Sequence, residues 1–160
     1  MSRSGYSDDF HDPLELGRWR ARVASAIRGR RGQAFLRDLV TALDAMPDKR
    51  LVRGHLRVSG LIGPHEPPLI VGADELFDEH GALPMGAVCA LGAVAVTRQI
   101  DVDKIDPCDH DTIAAKIDIA GPLAQEVAYI NDECGPYRET PEARFVRMRK
   151  WAESHIKESK

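Results

Sequence analysis

The fold is decided by residues 13–47, PLELGRWRARVASAIRGRRGQAFLRDLVTALDAMP. Apolar side chains recur every three or four residues on both sides of the break Gly29-Arg30-Arg31-Gly32, which is the spacing of two amphipathic helices. Asp12 before Pro13 is a typical helix start, and Pro47 ends the second helix. We therefore predict an antiparallel helical hairpin. Its predicted apolar positions are Leu16, Trp19, Val23, Ile27, Phe35, Leu36, Leu39, Val40, Leu43 and Met46.

Further helices are predicted in the C-terminal half. Asp109 or Asp111 can cap a helix that reaches Ile117, and a following helix ends near Asn131. Thr140-Pro141-Glu142 combines an N-cap residue, a proline at the first helical position and an acid in the first turn, so it predicts the start of the last helix. The apolar positions of the last two helices are Leu123, Val127, Ile130, Phe145, Met148, Ala152 and Ile156, with Trp151 beside them.

The middle of the chain carries mixed signals. Residues 51–58 roughly alternate apolar and polar side chains, which predicts a short strand, and residues 69–71 predict another. Residues 73–80 suit one or two helical turns. Residues 87–96 form the most apolar run, which fits a buried strand or a buried helix. Their small side chains favour a helix that packs closely against a neighbour and is entered from a short strand.

These signals together predict one α+β domain over residues 1–160 that is mostly α-helical. The helical hairpin and the C-terminal helices surround one core, and a small β-sheet or hairpin is inserted after the first helix pair. Residues 1–12 are expected to be a flexible N-terminal segment. Residues 56–86 are expected to be an irregular insertion. Their apolar side chains either pack on the core or form a partner surface, which leaves self-association into a homo-oligomer open.

Composition and cysteine usage favour a folded domain in the cytoplasm. The 160 residues suit one domain, and 43% apolar with 29% charged residues does not suit a disordered chain. The longest apolar run is about half of the roughly 20 residues that a membrane span needs, so we expect no membrane insertion. No signal peptide is indicated. Three scattered cysteines without a CxxC pattern indicate reduced thiols.

The small net charge of −3 hides a strong segregation along the chain. Residues 13–57 carry eleven bases and four acids, whereas residues 58–135 carry three bases and fourteen acids. Residues 136–160 are again basic, with seven bases and four acids. Blocks of this kind predict a surface with separate positive and negative sides.

The acidic middle of the chain is the first candidate binding surface. A negative surface steers association with a basic partner, so we predict that it binds a basic surface on a protein. The candidate residues are Asp74, Glu75, Asp78, Glu79, Asp101, Asp103 and Asp106.

The basic helical hairpin is the second candidate surface, with nucleic acid as its partner. Guanidinium groups at a helix turn suit phosphates, but Gln33-Ala34-Phe35 is a weak match to a base-reading helix start. No aromatic series interleaves the arginines to stack the bases of a single strand. Any such binding should be weak, non-specific and lost with added salt. The candidate residues are Arg18, Arg22, Arg28, Arg30, Arg31 and Arg37.

Metal and catalytic motifs are not recognised. The acidic residues 101–111 fail the EF-hand pattern, which leaves cation binding there open, and no second ligand pair accompanies Cys108 and His110. No GxSxG, HExxH, Walker or GxGxxG pattern occurs in the required context, so we expect no cofactor, no metal site and no enzyme activity. Residues 131–137, from Asn131 to Tyr137, are the alternative: either the site of a small enzyme or ligand-binding protein, or a helix end followed by a turn.

Several short motifs resemble a group of uncharacterised phage and prophage proteins. The shared stretches are MSRSGYS at residues 1–7, RRGQAFLR at 30–37, LDAMP at 43–47, VCALGA at 88–93, INDE at 130–133 and ETPEAR at 139–144, followed by Trp151. The resemblance covers about two thirds of the chain, and residues 56–86 look like an insertion relative to shorter members. It implies a phage-encoded accessory protein and carries no catalytic residue with it.

The sequence therefore predicts a non-enzymatic phage-type accessory protein that acts by binding a protein. The resemblance implies that this partner is a host or phage protein in the cytoplasm of a bacterial host. A host partner can be a defence factor, which the chain would inhibit. A nucleic-acid-binding protein that uses the basic hairpin is the first alternative. A small enzyme or ligand-binding protein with a site at residues 131–137 is the second.

Overall fold

A computed structural model of the chain contains the first two helices that the sequence predicts, and it describes residues 12–58, 77–78, 81–82 and 84–158. Helix α1 spans Pro13–Arg28 and helix α2 spans Arg30–Ala45. The Asp12 carboxylate caps α1 by accepting the N–H of Leu14 at 2.9 Å. Gly29 alone separates the two helices, so the break is one residue long rather than the predicted four. The predicted flexible segment at residues 1–12 lies outside the described residues, apart from Asp12.

The two helices of the hairpin cross at very close range. A Cβ added to Gly32 would overlap the carbonyl oxygen of Ala26, so α2 can turn back against α1 only with glycine at this position. The sequence interpretation placed Gly32 in the connecting break, whereas it lies inside α2 and is buried. Its role is therefore close packing between the helices rather than chain reversal.

Four further helices complete the described fold: α3 (Ala90–Thr97), α4 (His110–Lys116), α5 (Gly121–Asp132) and α6 (Pro141–His155). The predicted caps are confirmed, because Asp109 accepts from the N–H of Thr112 and Thr140 accepts from the N–H of Ala143. No helix among the described residues is long and apolar enough to cross a membrane.

The predicted α+β fold is wrong, because no sheet forms a layer of the described structure. The described pairing is limited to β1 (Phe77–Asp78) with β2 (Gly81–Ala82), two residues each, and to one isolated bridge between Arg57 and Val88. The described residues therefore form an all-helical fold. The pairing of residues 77–78 also contradicts the helical turns predicted over residues 73–80. The strand predicted at residues 69–71 and most of the predicted insertion at 56–86 lie outside the described residues.

Residues 51–58 do not form the predicted strand. Gly54 has a φ of +76°, a left-handed conformation that interrupts an extended run. The flanking backbone groups then bond to different elements: the N–H of Leu51 reaches Pro141, and the N–H of Val52 reaches Val88. The alternating pattern therefore reflects a chain segment buried between helices rather than a strand of a sheet.

The core follows the predicted apolar faces. Helix α3 is buried along most of its length, and its Gly92 lies so close to the Leu56 carbonyl that a Cβ would overlap it. Two options were predicted for residues 87–96, and the structure shows the buried helix. A short strand was also predicted to precede this helix, and the described residues show only the Arg57–Val88 bridge there. Trp19, also predicted inside, is only partly buried against the core. The predicted apolar side chains that are buried in one cluster include Val23, Ile27, Phe35, Leu36, Leu39, Leu43, Leu91, Leu123, Val127, Ile130, Phe145, Met148 and Ala152.

Candidate functional site

The arginines of the helical hairpin form the most distinctive charged surface of the described structure. We call Arg18, Arg22, Arg28, Arg30, Arg31 and Arg37 the arginine surface, and all six are exposed. Arg31 forms an ion pair with Asp118 at 3.0 Å. For the other five, no carboxylate among residues 12–58, 77–78, 81–82 and 84–158 lies within ion-pair distance of the guanidinium. Their positive charge is therefore left available to a partner.

The acids of α2 do not neutralise this surface, because arginines of other helices hold them. Arg98, which follows α3, contacts Asp38 with two nitrogens at 2.7 and 2.8 Å. Arg149 of α6 contacts both carboxylate oxygens of Asp44, at 2.6 and 3.2 Å. The hydrogen bond from Arg149 and its charge hold the pKa of Asp44 below the ordinary value. These pairs fix α2 to its neighbours, so neither acid is paired with a member of the arginine surface.

The chain end after α6 adds a further cation to the arginine surface. Gln33, buried in α2, donates to the carbonyls of Ile27 and His155 at 2.8 and 3.0 Å, and its own carbonyl accepts the N–H of Lys157 at 2.8 Å. Gln33 therefore anchors the chain end against the junction of α1 and α2. Because Gln33 is buried, it is not available to read bases, in agreement with the weak match noted in the sequence.

Lys157 is held between two arginines of the surface. Its ammonium donates to the carbonyl of Arg28 at 3.3 Å, and its own carbonyl accepts from Arg37 at 3.4 Å. Residues that are far apart in sequence thus form one cationic group around the end of α1. The sequence gives no signal for Lys157, because its position depends on how α6 packs.

A cavity of about 420 Å³ opens between α1 and the end of α6, next to this cationic group. Val23 and Ile27 provide apolar lining, and Trp151 lies beside His155 with 4.9 Å between the ring centroids. We call this space the Trp151 cavity. The charged residues that line it are Arg20, Arg28, Lys157 and Glu126. Sequence reasoning missed it because its aromatic and cationic residues lie on different helices.

The predicted acidic surface is only partly described. Asp101 and Asp106 are exposed, but each accepts a backbone N–H two residues ahead, from Asp103 and Cys108 respectively. Asp103 is half-buried and lies 3.5 Å from Arg57. These carboxylates therefore organise their own loop. Asp74, Glu75 and Glu79 lie outside the described residues, and only the backbone of Asp78 is described.

Residues 131–137 divide into a buried part and an exposed part. The side chain of Asn131 accepts the N–H of Ala90 at 3.1 Å and donates to the carbonyl of Val52 at 2.9 Å. The adjacent Asp132 is buried and accepts the N–H of Gly54 at 3.3 Å. Tyr137 is 89% exposed. The polar atoms of Asn131 are therefore used to join α5 to other segments, and the interpretation as a helix end followed by a turn is confirmed.

The buried Arg144 and the partly buried Arg147 complete this polar cluster. Arg147 forms a two-point ion pair with Glu139 and donates to the carbonyls of Ile130 and Asn131 at the end of α5. The hydrogen bond with Glu139 raises the pKa of Arg147. Arg144 donates to the carbonyl of Leu51 at 2.9 Å, and its burial lowers its pKa while the charge of Glu139 opposes this. The cluster therefore holds α5, α6 and the segment at residues 51–54 together.

An apolar groove of about 420 Å³ lies on another side of the molecule, between the end of α2 and α3. Met85 and Val96 line it and are 68% and 50% exposed.

Among the residues that the structure describes, no three His, Cys, Asp or Glu side chains come together as a metal site. The acidic loop at 101–111 therefore brings no such group together.

Comparison of the chain with protein-family models, with curated proteins and with solved structures finds no match. The resemblance to phage and prophage proteins stays a prediction.

Proposed function

We propose that the chain is a non-enzymatic binding protein whose arginine surface binds the phosphate backbone of a nucleic acid. The observation that carries this proposal is that five exposed arginines have no carboxylate within ion-pair distance among the described residues. Guanidinium groups pair with phosphate oxygens through two parallel hydrogen bonds. Contacts of this kind position a protein on nucleic acid without reading its sequence.

The distribution of acids supports the same proposal. Asp38 and Asp44, which share α2 with Arg37, are held by Arg98 and Arg149. These two acids therefore do not offset the repulsion between the positive charges of the arginine surface. Phosphate groups of a nucleic acid would offset it. We expect weak and sequence-independent binding that falls steeply with added salt, because phosphate contacts release counterions.

The test compares two double variants in a binding titration with duplex DNA at several salt concentrations. Arg18→Ala with Arg22→Ala removes two charges of the arginine surface. Arg53→Ala with Arg138→Ala removes two exposed charges near the start of α6, about 22 Å along that helix from its other end. If both removed arginines contact phosphate, the slope of log affinity against log salt becomes shallower by about 1.8. Equal affinities and slopes for the two double variants would contradict the proposal.

A protein partner is the second candidate function, as the sequence predicts for a phage-type accessory protein. The groove beside α3 supports it, because large exposed apolar side chains such as Met85 and Val96 in one concavity are typical of protein contact surfaces. An affinity pulldown from bacterial lysate, with and without nuclease, separates the two candidates. Capture that resists nuclease and is lost with Val96→Lys would favour a protein partner. Capture that nuclease abolishes would favour nucleic acid.

A further inference from the structure

The Trp151 cavity has the composition of a site for one nucleotide. Its volume of about 420 Å³ lies within the roughly 300–1,000 Å³ of small-molecule sites. Val23 and Ile27 provide apolar lining and Trp151 an aromatic face, while Arg20 and Lys157 provide positive charge. A nucleobase is flat and stacks on aromatic rings, and the phosphate joined to it requires cations.

The position of the cavity extends the arginine surface. Arg28 belongs to that surface and also lines the cavity, and Lys157 contacts Arg28 and Arg37 through hydrogen bonds. A strand whose phosphates contact Arg28 and Lys157 would therefore pass the opening of the cavity. Glu126 is the one acid among the lining residues, against three cations, so the lining favours an anion.

The aromatic ring distinguishes between forms of nucleic acid. Bases in a duplex are paired and stacked on each other, so they stack on a tryptophan side chain only after unpairing. Bases of a single strand are free to turn outward and stack on a side chain. We infer that the Trp151 cavity binds one unstacked base of a single-stranded nucleic acid, whose phosphates contact Arg28 and Lys157. This inference rests on the proposed function and specifies its ligand.

The two tryptophans of the chain make the inference directly measurable. Trp19→Phe leaves Trp151 as the only tryptophan, so its emission reports on the cavity in the folded protein. The probes are a mixed-sequence DNA strand of about 16 nucleotides and the same strand annealed to its complement. We expect the single strand to quench Trp151 emission and to bind about tenfold more tightly than the duplex at equal salt.

Substitutions then locate the contact. Trp151→Leu keeps an apolar side chain and should reduce single-strand affinity about tenfold, to the level of the duplex. Lys157→Ala should also weaken single-strand binding. Lys150→Ala is the control, because Lys150 is exposed, lies next to Trp151 in α6 and does not line the cavity. It should have a smaller effect than Lys157→Ala. Should Trp151→Leu fail to fold, the emission of the Trp19→Phe variant still decides the question.

The outcomes separate this inference from the function on which it rests. Equal binding of both DNA forms with unchanged Trp151 emission overturns the cavity assignment and leaves the phosphate-binding proposal standing. A single-strand preference without a change in emission also overturns it, because the strand then binds elsewhere. Binding of neither form overturns both proposals.

Discussion

Glu139 and Arg147 form a two-point ion pair, with Nε–Oε1 at 2.6 Å and Nη2–Oε2 at 2.7 Å, that joins the end of α5 to α6. The Glu139 side chain is only 6% exposed. Arg147 also donates to the carbonyls of Ile130 and Asn131, so one guanidinium serves both the ion pair and the helix end. The ion pair and these two hydrogen bonds therefore hold α5 and α6 together.

Removing the carboxylate of Glu139 should therefore destabilise the fold. Glu139→Ala leaves the buried charge of Arg144 and the partly buried charge of Arg147 without their counter-charge, and we expect a loss of about 3 kcal/mol in the free energy of unfolding. Urea denaturation measures it. Glu153→Ala, which breaks the exposed pair with Arg149, is the matched control and should cost about 0.5 kcal/mol. Similar losses in the free energy of unfolding for the two variants would show that the buried pair stabilises the fold no more than the exposed pair does.

Asn131 should be important for stability, because its side chain bonds to two backbone groups of other segments. Asn131→Ala deprives the N–H of Ala90 and the carbonyl of Val52 of their buried partner, and each unsatisfied group costs about 1–3 kcal/mol. We expect a large drop in the thermal midpoint of the variant. An unchanged midpoint would contradict the structural role assigned to these two hydrogen bonds.

Three glycines within helices should respond in opposite directions to alanine. Gly32→Ala and Gly92→Ala force a Cβ against the carbonyls of Ala26 and Leu56, and overpacking of this kind costs about 1–3 kcal/mol or more. Gly17 has no atom within 4 Å of the added Cβ, so Gly17→Ala should stabilise α1 by about 0.8–1 kcal/mol. Denaturation midpoints of the three variants measure these effects. Destabilisation by Gly17→Ala would contradict the described exposure of that position.

The pair of Asp44 with Arg149 should make stability depend on acid pH. The hydrogen bond and charge of Arg149 hold the pKa of Asp44 below its ordinary value of 3.8, so the folded state favours the ionised carboxylate. The stabilisation is fully present above pH 3.8 and is lost as the pH falls through the lower pKa of the folded state. Asp44→Asn should lose this part of the pH dependence.

Reciprocal substitution checks the assignment to this pair. Arg149→Ala should flatten the same part of the pH profile, and the double variant should add nothing further. Because the pair is exposed, added salt should reduce the difference. If Asp44→Asn and the parent protein have parallel pH profiles between pH 5 and 2, about the range in which a paired carboxylate titrates, the pair does not contribute.

The helices could be predicted because their signals are local. Asp12, Asp109 and Thr140 cap helices by bonding to backbone groups two or three residues away, and these spacings are visible in the sequence. The apolar faces of the hairpin are likewise set by a period of about 3.6 residues. The exposure of the arginine surface follows from the same period, because its members lie away from those faces.

The middle of the chain could not be predicted in the same way. The alternating pattern of residues 51–58 is compatible with a strand, but the partners of its backbone groups are Pro141 and Val88, which are remote in sequence. Gly54 adopts a left-handed conformation that glycine permits but does not require. Whether such a segment joins a sheet depends on which elements surround it, and no local rule supplies that.

The sequence by itself determined the helical elements, their caps and the row of exposed arginines, because bonds within a few residues fix them. Only the tertiary structure decided that the fold has no sheet layer, that Asn131 and Arg147 act as structural joints, and that the Trp151 cavity exists. The side chain of Gln33 accepts the N–H of Lys157, which is 124 positions away in the sequence. Trp151 and His155 line one cavity together with cations of α1. The physical reason is that packing joins side chains by shape and burial, whereas helix formation depends on neighbours along the chain.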